Sequence, residues 1–157
     1  GMITWMFYER YNGRKMNAVG ACIGAIVGLV AITPAAGFVT VQESVAIGFI
    51  AALVSNWAIA RQSKSGLDDT LDVFPSHGVG GMVGMVLTGV FAADVGLTSG
   101  ETDTFLWHLV ALVGVAIFTF GASLLLFKLV DKAIPLRVTG WQETLGLDES
   151  QHGETVD

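Results

Sequence analysis

His77 has the clearest chemical potential, because it lies within residues 73–93, a stretch without Asp, Glu, Lys or Arg. Ionisable groups inside apolar membrane segments are costly and usually face the bundle interior or a water-filled cavity. Histidine changes charge near neutral pH, so it can donate, accept or carry a proton. The sequence therefore favours His77 as a group lining a pathway for a polar solute or a proton. The alternative is a structural histidine bonded to a neighbouring backbone carbonyl.

Three carboxylates precede this stretch, at Asp68, Asp69 and Asp72. Asp72 is in position to cap the following helix, with Pro75 in its first turn, and acids there also suit the helix dipole. A cluster of acids near the membrane surface would alternatively attract a cation. Asp72 and His77 lie about 140° apart around an ideal α-helix, so no adjacent acid–base pair is predicted.

Other reactive residue types are predicted to be structural. Thr33 should hydrogen-bond to its own helix backbone, His108 should be structural, and Cys22 should be a small packing residue. An intramembrane metalloenzyme built on His77 would need closer ligand spacing than this sequence has. We therefore predict no metal, no cofactor and no enzymatic activity. Without a basic patch, no nucleic-acid binding is predicted.

The elements that position these residues are predicted from the distribution of charge. Charged residues make up 14% of the chain, against about 25% in soluble domains. Four stretches have none, and each is long enough to cross a bilayer as a helix: they are residues 16–42, 44–60, 73–93 and 104–127. The sequence predicts an all-α polytopic transmembrane helix bundle, with helices at about 16–33, 42–61, 73–93 and 104–130. Residues 1–8 form either an interfacial anchor or, as we prefer, the end of a preceding helix.

The eight basic residues indicate the topology. All of them fall in residues 9–15, in residues 61–72 or after residue 127, and the two intervening connections carry none. Positive residues stay on the cytoplasmic side. We therefore predict a multi-pass protein of the cell (inner) membrane, with a transmembrane region at 1–139 and a cytoplasmic tail at 140–157.

Two glycine patterns predict close helix packing, since small residues let membrane helices approach each other. The first is a ridge on the first long helix, formed by Gly20, Gly24 and Gly28. The second is a stripe on the third long helix. Its residues are His77, Gly80, Gly81, Gly84 and Thr88. The fourth helix is rich in leucine, which predicts a peripheral, lipid-facing position.

Four motifs resemble the ammonium transporter (Amt/Mep) family in its C-terminal part. They are GAIVGLVAITPAAG at 24–37, DDTLDVFPSHGVGG at 68–81, TGVFA at 88–92 and GLDESQHGE at 146–154. The resemblance implies the C-terminal part of a fold of about eleven helices. Each subunit of a homotrimer then has its own pore, with two histidines contributed by two inverted halves.

The resemblance also implies roles for individual residues. His77 would be the second pore histidine, Thr33 would lie near the pore, and Ile26 and Val73 would narrow its cytoplasmic side. Asp69 and Asp72 match acids at the inner vestibule, and the alternative role for either of them is a helix cap. A regulatory tail that often binds a PII-type signal protein is matched by Asp148, His152, Gly153 and Glu154.

The family's partner histidine, outer aromatic gate and outer cation site have no counterpart in this sequence. The resemblance therefore implies that the missing N-terminal part of the transporter is a partner. The expected function is transmembrane transport of ammonium or ammonia through a histidine-lined pore. The alternative is an ammonium sensor or regulatory protein on the same fold. Pro75 and Ser76 depart from the small or aliphatic residues that are commoner in the family before the histidine.

Overall fold

The computed structural model describes residues 1–155, which form helices and turns without a β-strand. The helices are α1 Met2–Tyr11, α2 Ala18–Ile32, α3 Val41–Gln62, α4 Gly80–Phe91, α5 Asp103–Ala133 and α6 Gly140–Leu145. A 3₁₀ turn, Thr33–Ala35, extends α2, and a π-helical turn, Phe74–Val79, runs directly into α4. A second 3₁₀ turn and a second π-helical turn occupy Leu97–Ser99 and Asp148–His152. The predicted all-α architecture is confirmed.

Four helical segments are long and apolar enough to cross a membrane: Ala18–Ala35, Val41–Gln62, Phe74–Phe91 and Asp103–Ala133. Each overlaps one of the helices predicted at 16–33, 42–61, 73–93 and 104–130. The helix ends follow local chemistry. Asn17 begins α2 by accepting a hydrogen bond from the Gly20 amide at 2.7 Å. Thr40 and Glu43 form a reciprocal capping box at the start of α3.

The chain divides into two compact units, Gly1–Val113 and the residues from Gly114 onward. The core of the first unit consists mostly of small residues on α1, on α2 with the 3₁₀ turn that extends it, and on α3: Trp5, Val27, Ala31, Ala35, Ile47, Ala51 and Ala52. Alanine at these positions lets helix backbones approach closely, which is how helices associate where lipid offers no hydrophobic drive.

The segment predicted at 1–8 is the longer helix α1, and it packs on the glycine ridge of α2. A Cβ placed on Gly24 would lie 2.9 Å from Cγ of Trp5, and one on Gly20 would lie 2.7 Å from a carboxylate oxygen of Glu9. Trp5 is 2% exposed. A buried indole contradicts the alternative of an interfacial anchor, in which the ring would face the headgroups.

The glycine stripe of the third span also makes a close helix contact. Gly80, Gly84 and Thr88 are buried. A Cβ on Gly84 would contact the Ala31 carbonyl oxygen and lie 2.8 Å from Ala31 Cα. The prediction of close packing on this face is confirmed.

Helix α5 differs from the others. None of its residues, all of which the structure describes, is buried. Its N-terminal turns approach α4, where a Cβ on Gly89 would lie 3.1 Å from Cα of Phe105. At Gly114 and Gly121 a Cβ would meet no described atom within 4 Å. The lipid-facing position expected from its leucine content stays a prediction.

The second unit contains α6 and the turn that follows it. Thr139 and Gln142 form a capping box at the start of α6. Predicted tail residues take part in the following turn, where the Glu154 amide donates to the Asp148 carbonyl at 3.1 Å and Gly153 has a left-handed φ of 68°. The last two residues of the tail predicted at 140–157 lie outside the described residues.

Candidate functional site

His77 lies in a π-helical turn, Phe74–Val79. The turn begins where Asp72 adopts a left-handed φ of 51°, and Pro75 lies in its first residues. Proline is tolerated there because the first amides of a helix have no partner within it. A π-helical turn holds more residues than an α-helical turn, and such turns are frequent at functional sites. The direction of the His77 side chain therefore differs from that expected for an ideal α-helix.

A short chain of hydrogen bonds connects Asp72, Ser76 and His77. The Ser76 hydroxyl donates to the Asp72 carbonyl oxygen at 2.6 Å, and Ser76 Oγ lies 2.9 Å from His77 Nδ1. Ser76 is 2% exposed. The structural alternative considered for His77, a bond to a neighbouring carbonyl, is thus wrong in its partner, because the ring nitrogen meets a hydroxyl group. The Asp72 backbone carbonyl and the His77 ring are thus linked through Ser76, and neither of these two bonds involves the Asp72 carboxylate, in keeping with the prediction of no adjacent acid–base pair.

One cavity brings several predicted residues together. It has a volume of about 320 Å³ and is lined by His77, Ile26 and Val73, with Val19, Ile23, Thr70, Leu71, Asp72 and Ser76 around them. Three of the four predicted pathway residues therefore share a single cavity. Five of the nine lining residues are aliphatic, and Thr70, Asp72, Ser76 and His77 supply the polar groups.

Thr33, the fourth predicted pathway residue, lies outside this cavity. Its hydroxyl donates to the Leu29 carbonyl at 2.8 Å, as expected for a threonine bonded to its own helix. His108 is similarly engaged, with Nδ1 at 2.8 Å from the Thr104 carbonyl. Both residues satisfy their polar groups within their own helices, as predicted for structural positions.

Asp69 and Asp72 were both candidates for the helix cap, and Asp69 is the one whose side chain caps the helix, whereas the side chain of Asp72 does not. The Asp69 carboxylate accepts hydrogen bonds from the amides of Val73 and Phe74, both at 2.8 Å, and from Gln62 Nε2 at 2.8 Å. Asp72 contributes its carbonyl oxygen instead, because its left-handed backbone turns the chain just before the helix begins. The helix that carries His77 is thus anchored to the end of α3 through Asp69 and Gln62.

The two acids differ in electrostatic environment. The Phe74 amide, the Gln62 side chain and the Val73 amide, in that order, hold the pKa of Asp69 below its ordinary value. Burial raises the pKa of Asp72, and the charge of Asp69 raises it further. Asp69 is therefore the fixed charge of this pair, and Asp72 is the acid more readily protonated.

Substitution of Asp69 by alanine is expected to lower the thermal unfolding temperature, because the Val73 and Phe74 amides lose their acceptor. Because the pKa of Asp69 is lowered in the folded protein, the stabilisation that its carboxylate contributes is fully present at neutral pH. That stabilisation is lost as the pH falls through the folded-state pKa. Circular dichroism melts at neutral and acidic pH measure both effects. Asp68→Ala is the matched control, since Asp68 accepts only from the hydroxyl of Thr70 among the described contacts. Equal melts for the two variants would contradict the assignment.

Sequence reasoning noted Ser76 only as a departure from the resemblance. A serine four residues after a carbonyl in a helix often bonds back to that carbonyl, which was a usable signal for the Asp72 contact. The contact with the adjacent ring depends on the π-helical turn. Among the described residues, no group of three His, Cys, Asp or Glu side chains is placed to hold a metal ion.

Membrane-length helices packed through glycine and alanine, with an imidazole on an aliphatic cavity, define a polytopic α-helical membrane protein. The sequence model of the Ammonium Transporter Family matches residues 1–157. The chain belongs to this family.

Known members are similar over nearly the whole chain. The ammonium transporter of Bacillus subtilis is 41% identical over 163 residues, covering 98% of this chain and 40% of the relative. The crystal structure of Candida albicans Mep2 matches with a TM-score of 0.83 at 34% identity, covering 90% of this chain and 34% of that one. A structure titled Sensor Amt Protein matches with a TM-score of 0.79 at 28% identity, covering 96% and 38%. This chain thus spans well under half the length of these relatives.

Proposed function

We propose that the chain contributes one wall of a transmembrane pathway for ammonium or ammonia. The observation that carries this proposal is the cavity shared by His77, Ile26 and Val73. It combines a group able to bind an N–H donor with an aliphatic lining. Membership of the Ammonium Transporter Family supports ammonium as the substrate, as does the similarity to the ammonium transporter of Bacillus subtilis.

The aliphatic lining decides the form in which substrate crosses. An unpaired charge next to aliphatic side chains is expensive. Ammonium entering the cavity would therefore either release a proton and continue as ammonia, or keep its charge at the cost of its lost hydration. An imidazole can accept a hydrogen bond from an N–H group of the substrate, or a proton. His77 is therefore proposed as the group that binds substrate beside the aliphatic residues of this cavity.

The cavity is open in this chain, which indicates that further helices complete it. Ile26 is 40% exposed, Val73 is 49% exposed, and His77 is also exposed. We propose that the opposite wall is supplied by helices outside these 157 residues, consistent with the greater length of the relatives. A homotrimer in the cell membrane, with a cytoplasmic C-terminus, is the proposed assembly. Residues Asp148, His152, Gly153 and Glu154 are proposed to regulate it, with a PII-type signal protein as partner.

Ammonium flux in proteoliposomes tests the proposal. The protein is purified in mild detergent as it occurs in its membrane, every polypeptide is identified by intact mass, and the assembly is reconstituted. An inward ammonium gradient is expected to give a current or an internal pH change absent from empty liposomes. An equal potassium gradient is the control for a nonselective leak. Ammonium binding without flux by an assembly with all its polypeptides would contradict transport and would indicate a sensor.

A further inference from the structure

We propose that a cleft at the end of α3 binds an anionic phospholipid, with the guanidinium of Arg61 at the lipid phosphate. The cleft is formed by the last turns of α3, the loop that follows and the π-helical turn before α4. It has a volume of about 380 Å³, and its lining includes Trp57, Arg61, Gln62, Leu67, Phe74 and Val79. None of these residues lines the cavity of His77, and the proposal does not depend on transport.

The position of the cleft along its membrane span favours contact with a lipid headgroup. The segment Val41–Gln62 is long and apolar enough to cross a bilayer, so Arg61 lies at the boundary of the span. Arg61 also belongs to the connection 61–72, which its basic residues predict to be cytoplasmic. Anionic lipids are concentrated in the cytoplasmic leaflet, and basic pockets between membrane helices on that side bind their headgroups.

The guanidinium of Arg61 is held in place and is available to an anion. Its Cζ lies 5.0 Å from the centre of the Trp57 ring, which is within the range of a cation–π interaction. Stacking on a ring leaves the N–H groups of a guanidinium available as donors. Among the residues that the structure describes, no carboxylate lies within ion-pair distance of Arg61. A planar guanidinium can donate to two oxygens of one phosphate, which makes the phosphate of a lipid a suitable partner.

The acids of the same connection are engaged at other places. Asp69 accepts hydrogen bonds from two backbone amides at the start of the next helix. Asp68 accepts from a threonine hydroxyl, and Asp72 lines the cavity on the other side of the π-helical turn. The positive charge of Arg61 is therefore not paired by the acids that lie nearest to it in the sequence.

The remainder of the cleft suits an acyl chain. Trp57 is 52% exposed and Phe74 is 60% exposed, and Leu67 and Val79 add aliphatic surface beside them. Tryptophan at the end of a span typically lies at the level of the headgroups. A protein helix covering the cleft would need a buried acid of its own, because an unpaired guanidinium is expensive to bury. A phospholipid supplies the phosphate and the chain in one molecule, so it fits the cleft better.

Photo-crosslinking in nanodiscs tests the proposal on the protein purified with all of its polypeptides. The nanodiscs consist of phosphatidylcholine with a trace of one of two probes, phosphatidylglycerol or phosphatidylcholine, each with the same diazirine in its acyl chain. Peptide mass spectrometry locates the adducts. We expect adducts in residues 57–62 and 67–79, with a yield roughly tenfold higher for the anionic probe, the effect of one hydrogen bond to a charged group. Unlabelled phosphatidylglycerol in the nanodisc should displace the probe, and inorganic phosphate should not.

Two variants separate Arg61 from the general charge of the connection. Arg61→Gln and Lys64→Gln each remove one positive charge from the same loop region, but Lys64 does not line the cleft. We expect Arg61→Gln to lower the yield of the anionic probe by roughly tenfold. Lys64→Gln should leave that yield near the wild-type value.

Several results would overturn the proposal. Adducts on other spans only would show that another polypeptide covers the cleft. Equal wild-type yields for the two probes would mean that the lipid is not selected by its charge, and displacement by inorganic phosphate would indicate a site for the free anion. Equal yields in Arg61→Gln and Lys64→Gln would remove Arg61 from the site. The comparison of probes uses the wild-type protein, so it decides the matter if Arg61→Gln does not fold.

Discussion

Replacement of Gly84 by leucine is expected to prevent α4 from packing on α2 and to leave little folded protein. Any Cβ at this position would contact the carbonyl oxygen of Ala31 and approach its Cα to 2.8 Å. These are backbone atoms of a fully buried residue, so they cannot rotate away as a flexible side chain would. Overpacking that forces a backbone shift typically costs about 1–3 kcal/mol, and more for a large side chain. Gly84→Ala should therefore be destabilising, and Gly84→Leu more so.

The measurement is the fraction of monodisperse protein in size-exclusion chromatography, followed by a thermal melt. Gly121→Leu is the matched control, because Gly121 is also a helical glycine of a membrane span but its Cβ would meet no described atom within 4 Å. The control should behave like the wild type. If Gly84→Leu and Gly121→Leu gave the same melting temperature, the close contact between α2 and α4 would be refuted.

Substitution of His77 by alanine is expected to reduce ammonium flux by roughly 10- to 100-fold, the size of a lost hydrogen bond to a charged group. The reason is that the cavity would keep its aliphatic walls while losing the ring nitrogen that binds an N–H donor. The protein should still fold, since His77 is exposed and contributes no buried packing. Flux in proteoliposomes, measured for ammonium and for potassium, gives both rate and selectivity.

His108→Ala is the matched control for this experiment. His108 is also a membrane-span histidine with Nδ1 hydrogen-bonded, but its partner is the Thr104 carbonyl and it lies outside the cavity. Its substitution should leave ammonium flux near the wild-type value. Unaltered flux and selectivity in His77→Ala would remove His77 from the proposed pathway, whatever the control shows.

Several features of the fold were predictable because membrane physics acts on local sequence. A span must cover the hydrocarbon thickness with apolar residues, so the four helical segments follow from the distribution of charge. Glycines repeated on one face allow close approach, so the packing faces around Gly24 and Gly84 follow from helical periodicity. The partner of each face was not predictable, because a glycine ridge accepts any helix that fits. Only the structure assigns Trp5 to Gly24 and Ala31 to Gly84.

The site shows where local patterns fail. Sequence alone determined that a lone histidine lies in a membrane span after a cluster of acids, and its resemblance named Ile26 and Val73 as neighbours of the pathway. It left both Asp69 and Asp72 as candidates for the helix cap and favoured Asp72, because an ordinary helix start was assumed. The tertiary structure decided that Asp72 turns the chain with a left-handed φ, that Asp69 caps, and that a π-helical turn sets Ser76 against His77. The reason is that hydrogen-bond partners at a helix entrance depend on the angle at which the backbone arrives, and distant contacts, such as that of Asp69 with Gln62, help to set that angle.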